Sequence, residues 1–348
     1  MPSNKCTMTL QERIDALDAL GKYLRKNPTI LDAAMEKAHQ ENGWFTVNNQ
    51  RKAIEEISKA FLNKSKLKKW LSAYNLPKNT NPKVVGLVLA GNIPLVGFHD
   101  IACIFLTGNK SLIKLSEKDA VLLPALLHIL NTIDLRTTDY FSILNGFMRD
   151  VDAVIATGSN NSARYFETYF AKIPHIIRKN RNAIAVLTGD ETKKDFKALA
   201  HDLFEYFGLG CRNVSKIYVP RGYNFEPMLH VLHTWKHKLM LHDKYINNFD
   251  YNFALLIMNK VKYQSSGTIL LRELDEIASP IGTAYFSYYD DYEVLKNELQ
   301  TKKDQIQLVV TNKTDIDFLP VFPFGKAQSP QLNDYADGVD TIEFLAGI

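Results

Sequence analysis

Apolar positions in the first seventy residues recur at helical spacing. Leu10, Ile14, Leu17 and Leu24 fall on one face, and Thr9 with Glu12 ahead of them makes the Thr-x-x-Glu pattern of a capping box. The segment to about Trp70 therefore reads as helical. At residues 75–83, "NLPKNTNPK" sets two prolines and three asparagines in nine positions, which breaks any regular element. Beyond it the pattern changes. Continuous apolar runs appear, "VVGLVLA" at Val84, "SLIKLS" at Ser111, "YFSILNG" at Tyr140, "DAVIATG" at Asp152 and "NAIAVLTG" at Asn182. Helix-length segments such as "AVLLPALLHILNT" and "SARYFETYFAKI" alternate with them. Apolar strands alternating with helices predict a parallel sheet covered on both faces, an α/β fold of the doubly wound kind. Such sheets bind ligands at the carboxyl ends of their strands.

The pattern restarts at "KIYVP". A helical segment follows from Pro227, then the β-type runs "YNFALLIMN", "TILLRE" and "IGTAYFSYY", a polar helix near "DYEVLKNEL", and "IQLVVTN". This second set predicts a smaller α/β domain. The expected boundaries are a helical segment over 1–75 packing on an α/β domain over 76–207, a second domain over 208–320 and a C-terminal segment over 321–348. No internal repeat or low-complexity tract is present.

A length of 348 residues suits about two domains of the usual ~150 residues each. The 42 basic residues exceed the 38 acidic ones by only four, which gives no electrostatic case for nucleic acid or an anionic membrane. The basic run "KSKLKK" at residues 64–69 reads as a solvated helix end. No stretch approaches the ~20 apolar residues of a membrane span, and the N-terminus lacks the pattern of a signal peptide, so the expected compartment is cytoplasmic. Three cysteines, Cys6, Cys103 and Cys211, are odd in number and widely spaced, without a disulfide framework or a zinc pattern.

Cys211 sits in "GLGCRNVS". Gly208 and Gly210 clear side chains from around the thiol, and Arg212 is a cationic neighbour that would favour the thiolate. The loop suits either a nucleophile or a small thiol packed in a tight turn. Cys103, inside "DIACIFL", reads as core, and Cys6 as part of a frayed terminus. "LAGNIPLVGFHD" places Gly91, Asn92 and Pro94 between a buried strand and a helix, where donors could meet a developing oxyanion or an asparagine could simply cap the helix. No Gly-x-Gly-x-x-Gly fingerprint follows any strand. His230, His233 and His237 share one face if "HVLHTWKHKLMLH" is a continuous helix, with His242 at its end. The run lacks a cysteine or carboxylate to complete a ligand set, so no metal is expected.

Taken in order, these stretches resemble the aldehyde dehydrogenase superfamily, and within it the acyl-CoA reductases typified by the fatty-acid reductase subunit of bacterial luciferase operons. "AGNIPLVGFHDIACIFLTGNKSLIKLSEKD" is similar to the family's Asn-x-Pro segment and the Lys and Ser-Glu positions that follow it. "ATGSNNSARYF" is similar to its Thr-Gly-Ser turn, "GCRNVSKIYVP" to its nucleophile loop, and "DEIASPIG" to its Glu-Ile-Phe-Gly-Pro segment, with Ala278 and Ser279 standing in for the phenylalanine and glycine. The resemblance covers residues 83 to 348. It implies an aldehyde dehydrogenase-like fold with a Rossmann-type cofactor domain over 76–207 and a catalytic domain over 208–320. It implies Cys211 as catalytic thiol and Asn92 as oxyanion donor. Lys114 and Glu117 would face the adenosine ribose of NADPH or NADH, Thr157, Gly158 and Ser159 would lie near the dinucleotide, and Glu276 would hold the nicotinamide ribose.

One difference bears on the reaction. Hydrolytic members carry a general-base glutamate in a Glu-Leu-Gly-Gly strand between the Thr-Gly-Ser turn and the cysteine, to activate water. Here that region reads "RNAIAVLTGDET", and Glu191 lies past the strand end, similar to the Asp-Glu-Thr of CoA-dependent members. The resemblance therefore implies reduction of an acyl thioester, acyl-CoA first, with room for a homo-oligomer and for an acyl-transfer partner protein. An acyl-phosphate reductase of the same superfamily and a degenerate partner subunit are the alternatives. Neither nucleic acid nor a membrane span enters any of these readings.

Overall fold

In the computed structural model, which describes residues 7–76, 81–313 and 315–348, the chain divides into two compact units, Met1–Lys179 with Pro330–Ile348, and Asn180–Ser329. Cys6 and residues 77–80 of the predicted linker lie outside the described residues.

The first unit opens with helices α1 (Leu10–Leu24), α2 (Asp32–Glu41), α3 (Val47–Ala60) and α4 (Lys64–Leu71). The capping box forms: Thr9 Oγ1 accepts the Glu12 N–H at 3.3 Å, and the Glu12 carboxylate accepts the Thr9 N–H at 2.7 Å. The basic run lies on α4, whose Leu67, Trp70 and Leu71 turn inward while Lys66, Lys68 and Lys69 stay exposed. Five parallel strands follow, β1 (Val84–Val88), β2 (Lys110–Lys114), β3 (Phe141–Ile143), β4 (Ala153–Thr157) and β5 (His175–Arg178), in the order β3-β2-β1-β4-β5. Helices α5 (Phe98–Leu106), α6 (Leu122–Ile133) and α7 (Asn160–Tyr169) connect them. Val85, Leu87, Ile113 and Ile155 enter one large core with α1 and α3 to α6, and Val154 and Ala156 enter another with Met148 and Phe170. Strand side chains therefore bury on both faces, as continuous apolar runs require. The C-terminal helix Thr341–Ala346 adds Ile342 and Leu345 to the larger core.

The second unit holds β6 (Asn182–Val186), α8 (Lys193–Phe204), β7 (Val214–Pro220), α9 (Glu226–His233), α10 (Lys236–Leu239), α11 (Asp243–Met258), β8 (Gln264–Ser265), β9 (Leu270–Glu273), β10 (Thr283–Tyr289), α12 (Tyr292–Thr301), β11 (Ile306–Val310) and β12 (Val321–Phe322). Its sheet runs β12-β11-β6-β7-β10-β9-β8, parallel throughout except for the β8–β9 pair.

Two expectations change. The division falls after Lys179 and not near residue 207, because both neighbours of β6, β11 and β7, belong to the second sheet. "YNFALLIMN" is the second half of α11 and not a strand. Its apolar run is long enough for either, and the cap that decides lies upstream, where His242 Nδ1 accepts the Tyr245 N–H at 3.3 Å. Among the described residues no helix is long and apolar enough to cross a membrane.

Candidate active site

In the first unit the chain runs from β1 outward to β2 and β3, then returns to β4 on the other side of β1. The carboxyl ends of β1 and β4 thus flank a topological switch point, where parallel sheets offer a crevice. Six expected residues lie at this end, on the last strand residues or in the loops that follow them. Asn92 follows β1; Lys114 ends β2 with Glu117 just beyond; Thr157 ends β4, and Gly158 and Ser159 lead into α7. Asn92 is half-buried, whereas Lys114, Glu117 and Ser159 are exposed. The Asn92 loop rests on the turn after β2, since a Cβ on Gly91 would collide with Ser116 Oγ. Leu95 adopts left-handed backbone (φ 59°), at a cost of roughly 1–2 kcal/mol for a side chain of this kind. Its N–H donates to Asp119 Oδ2 at 2.8 Å. Asp119 is buried, which pushes its carboxyl up to about 6 although the Leu95 N–H favours the anion, and its Oδ1 has no hydrogen-bond partner.

At the head of α7, Ser159 Oγ accepts the Ser162 N–H at 3.1 Å. Gly158 gives its N–H to Arg178 O at 3.2 Å, and a Cβ there would lie 2.9 Å from Ser162 Cβ and 3.0 Å from Phe166 Cε2. The first turn of α7 carries no acidic side chain, and the Lys114 ammonium, on the strand beyond β1, donates to Gly146 O at 3.1 Å. A positive helix end, a cation and a close-packed glycine at a switch point fit the pyrophosphate and ribose of a dinucleotide.

In the second unit Cys211 is half-exposed in the turn that feeds β7. The backbone before it is unusual. Tyr206 (φ 52°), Phe207 (φ 59°) and Gly208 (φ 77°) are successive left-handed residues, of which only the glycine takes that conformation without strain. Asn213 spans the loop: its Oδ1 accepts the Gly210 N–H at 2.8 Å, and its Nδ2 donates to Asp202 O and Glu205 O, each at 3.0 Å. Asp202 is fully buried and accepts the N–H groups of Gly325 and Ala327, while burial pushes its carboxyl up to about 6. The Arg212 guanidinium lies 4.6 Å from the centre of the Phe322 ring and donates through Nε to Ala327 O. It thus holds the 322–327 segment, a structural task that its place beside a thiol did not announce.

Glu191 stands at the other end of the same sheet. Its carboxylate accepts the N–H groups of Thr188 (2.5 Å) and Gly189 (3.1 Å), just past β6. Ala183 pairs with Val214 and Val186 with Tyr218, so Cys211 precedes the amino end of the paired strands and Glu191 follows the carboxyl end. Seven residues of β7 at ~3.3 Å each separate the two ends by roughly 20 Å. Glu276 is exposed in the segment leading to β10, whose Ile277 O accepts the Ser215 hydroxyl at 2.7 Å. That segment and the cysteine loop lie at the amino ends of neighbouring interior strands, β10 and β7, where Gly208, Ser215, Ser279 and Thr283 line a cavity of about 30 Å³.

Cys103 is fully buried, and burial pushes its thiol well above the usual range. The histidine run is broken: His230 and His233 end α9, His237 lies on α10 and His242 caps α11, so the first three share no continuous helix. His233 Nδ1 is 2.5 Å from Ser266 O, and the His242 ring stacks on Phe207 with centroids 4.1 Å apart. Among the described residues no three His, Cys, Asp or Glu side chains group as a metal site.

The chain is 27% identical over 218 residues to a long-chain acyl-protein thioester reductase of Aliivibrio fischeri, a match that takes in 56% of this chain and 45% of that protein, less than half its length. Among solved structures, aldehyde dehydrogenase 21 of Physcomitrella patens, in complex with succinate, superposes with a TM-score of 0.71 at 12% identity over 99% of this chain and 85% of its own. A mutant aldehyde dehydrogenase C of Pseudomonas syringae with NAD+ and octanal gives 0.64 at 12% identity over 90% and 74%. These likenesses establish the aldehyde dehydrogenase fold. The sequence profile of the acyl-CoA reductases (LuxC) matches residues 12–233, nearly two-thirds of the chain, and this protein belongs to that family.

Proposed function

We propose that the protein reduces an acyl thioester, acyl-CoA first, to the aldehyde with NADPH or NADH, through a thioester on Cys211. The Cys211 thiolate attacks the carbonyl carbon, forming a C–S bond and an oxyanion. The Asn92 amide and a backbone N–H near Cys211 stabilise that charge. Collapse expels CoA as its thiolate and leaves the acyl group on sulfur. NADPH or NADH, when bound, would supply hydride to the acyl carbon and leave as NADP+ or NAD+. The product is a hemithioacetal oxyanion, held by the same donors, and its collapse breaks the C–S bond, releases the aldehyde and returns the Cys211 thiolate. Lys114, Glu117 and Glu276 would hold the two riboses, and the Thr157–Ser159 turn with the α7 N-terminus the pyrophosphate. The relatives support this reading through their printed names: one acts on acyl-protein thioesters and several aldehyde dehydrogenases bind NAD+.

The observation that carries the proposal is the placement of Cys211 and Glu191 at opposite ends of one sheet. With Glu191 tied to a turn roughly 20 Å away and Asp190 beside it in that turn, the "TGDET" segment supplies no base to activate water at the acyl group. A thiol is then the natural acceptor and donor of acyl groups. Incubated with an acyl-CoA and no reduced cofactor, the protein should gain the mass of one acyl group, mapped to Cys211, with Cys103 and Cys6 unmodified. NADPH or NADH should discharge it as aldehyde, and aldehyde oxidation should require free CoA. Reductase activity in Cys211→Ala, or oxidation to the free acid at equal rate without CoA, would refute it. Acylation from an acyl phosphate but not from acyl-CoA would move the substrate to that class.

A further inference from the structure

Around Cys211 the backbone takes a conformation that its own residues resist. Tyr206 and Phe207 are left-handed, carry aromatic side chains and are buried, so the strain must be held by something outside the turn. The group in position to do so is Asn213. It is 2% exposed, and its side chain bonds both the end of α8 and the residue before the cysteine. Its own N–H donates to Gly210 O at 3.0 Å, so Gly210 is gripped through both its amide and its carbonyl. Because Asn213 is continuous with β7, a buried strand in the interior of a seven-stranded sheet, the grip refers the loop to a strand paired on both sides.

We propose that Asn213 is the positioning residue of the nucleophile loop, fixing the 206–210 backbone so that the Cys211 thiol is presented in one orientation. The inference rests on the reading of Cys211 as nucleophile. Aspartate at 213 has the same shape but loses both donors and sets an anion against the Asp202 and Glu205 carbonyls; alanine loses all three side-chain bonds. Either change releases the turn toward right-handed backbone and moves the sulfur.

Alkylation of Cys211 by iodoacetamide, followed by peptide mapping across pH 6 to 10, reads the thiol whether or not it carries acyl groups. In Asn213→Asp and Asn213→Ala the limiting alkylation rate should change and its pH midpoint should move. The single-turnover acylation rate at saturating acyl-CoA should fall about ten- to a hundredfold, with little change in the acyl-CoA concentration that saturates, as displacement of a reacting group by ~1 Å predicts. Alkylation profiles and acylation rates within twofold of wild type in folded variants overturn the proposal, as does a loss of melting temperature unaccompanied by either kinetic change. Wild-type protein that alkylates at Cys211 but never acylates there would instead refute the proposed function. Should both variants fail to fold, hydrogen exchange in the wild type decides: the Gly210 amide should exchange slowly, and rapid exchange overturns the assignment.

Discussion

Asn92 differs from an ordinary turn asparagine in how much structure is spent on its loop. Gly91 is pressed on Ser116, and Leu95 is held left-handed by a buried carboxylate. A side-chain amide so braced suits charge that develops only in the transition state. Asn92→Ala should therefore lower turnover by ~10² to 10³ while acyl-CoA binding in the absence of reduced cofactor stays near wild type. Steady-state kinetics beside calorimetric titration checks this, and near-wild-type turnover would return Asn92 to a plain turn role. Cys211 and Asn92 could be singled out from the sequence because glycines and a proline surround them. Asp119 and Asn213 could not. Asp119 reaches the N–H of Leu95, 24 residues away, and Asn213 adds to its local bond with Gly210 two bonds to carbonyls 11 and 8 residues away, so the sequence around them reads as that of ordinary caps. Arg212 is the opposite case: its position suggested a charge serving the thiol, and the fold gives its guanidinium to Phe322 and Ala327.

Among the elements, α7 is where packing and the proposed cofactor site meet most directly. Gly158, between β4 and α7, packs under the helix, where a methyl group would come within 2.9 Å of Ser162 Cβ and 3.0 Å of Phe166 Cε2, closer than van der Waals contact. Gly158→Ala should displace the helix start, weaken NADPH or NADH binding and cost about 1–3 kcal/mol of stability, the usual penalty of overpacking. Lys114→Ala removes an exposed ammonium and should weaken binding with almost no loss of stability. Fluorescence titration and thermal melts on both variants separate the two effects; equal affinity in wild type and Lys114→Ala would remove Lys114 from the site. The strands and helices of the first unit were legible because their apolar runs are bounded by turn residues. "YNFALLIMN" was not, since a short apolar run fits helix and strand alike and the deciding cap, His242, reads in sequence as one of a histidine cluster. The break at Thr234 that ends α9 ahead of α10 undoes the single histidine face.

At the scale of the whole molecule, each unit carries one buried carboxyl raised to about 6, Asp119 in the first and Asp202 in the second. Burial causes both shifts, so the folded state binds these protons more tightly than the unfolded chain. The sign follows: the ionised forms cost stability above pH 6, and that cost is relieved as pH falls toward the unfolded value near 3.8. Buried His99 pulls the other way, its imidazole held below the usual range, so that acidification through 6.5 favours the unfolded chain. Glu12, drawn down to about 2 by Arg136 and Thr9, adds its loss of stability only as pH falls below 4.5. The clean measurement is therefore a difference between variant and wild type in the window from pH 7 to 4.5. Asp119→Asn keeps the acceptor for the Leu95 N–H and removes the titration. Its stability relative to wild type should fall by about 2 kcal/mol across that window. Asp202→Asn should show a similar slope, offset by the loss of one of the two side-chain oxygens that accept the Gly325 and Ala327 N–H groups. Because the two carboxyls lie in different compact units, denaturant unfolding followed by probes in each should show the Asp119 slope in the first and the Asp202 slope in the second if the units unfold separately, and both slopes in one transition if they unfold together. Variants whose stability runs parallel to wild type from pH 7 to 4.5 would mean that neither carboxyl is raised.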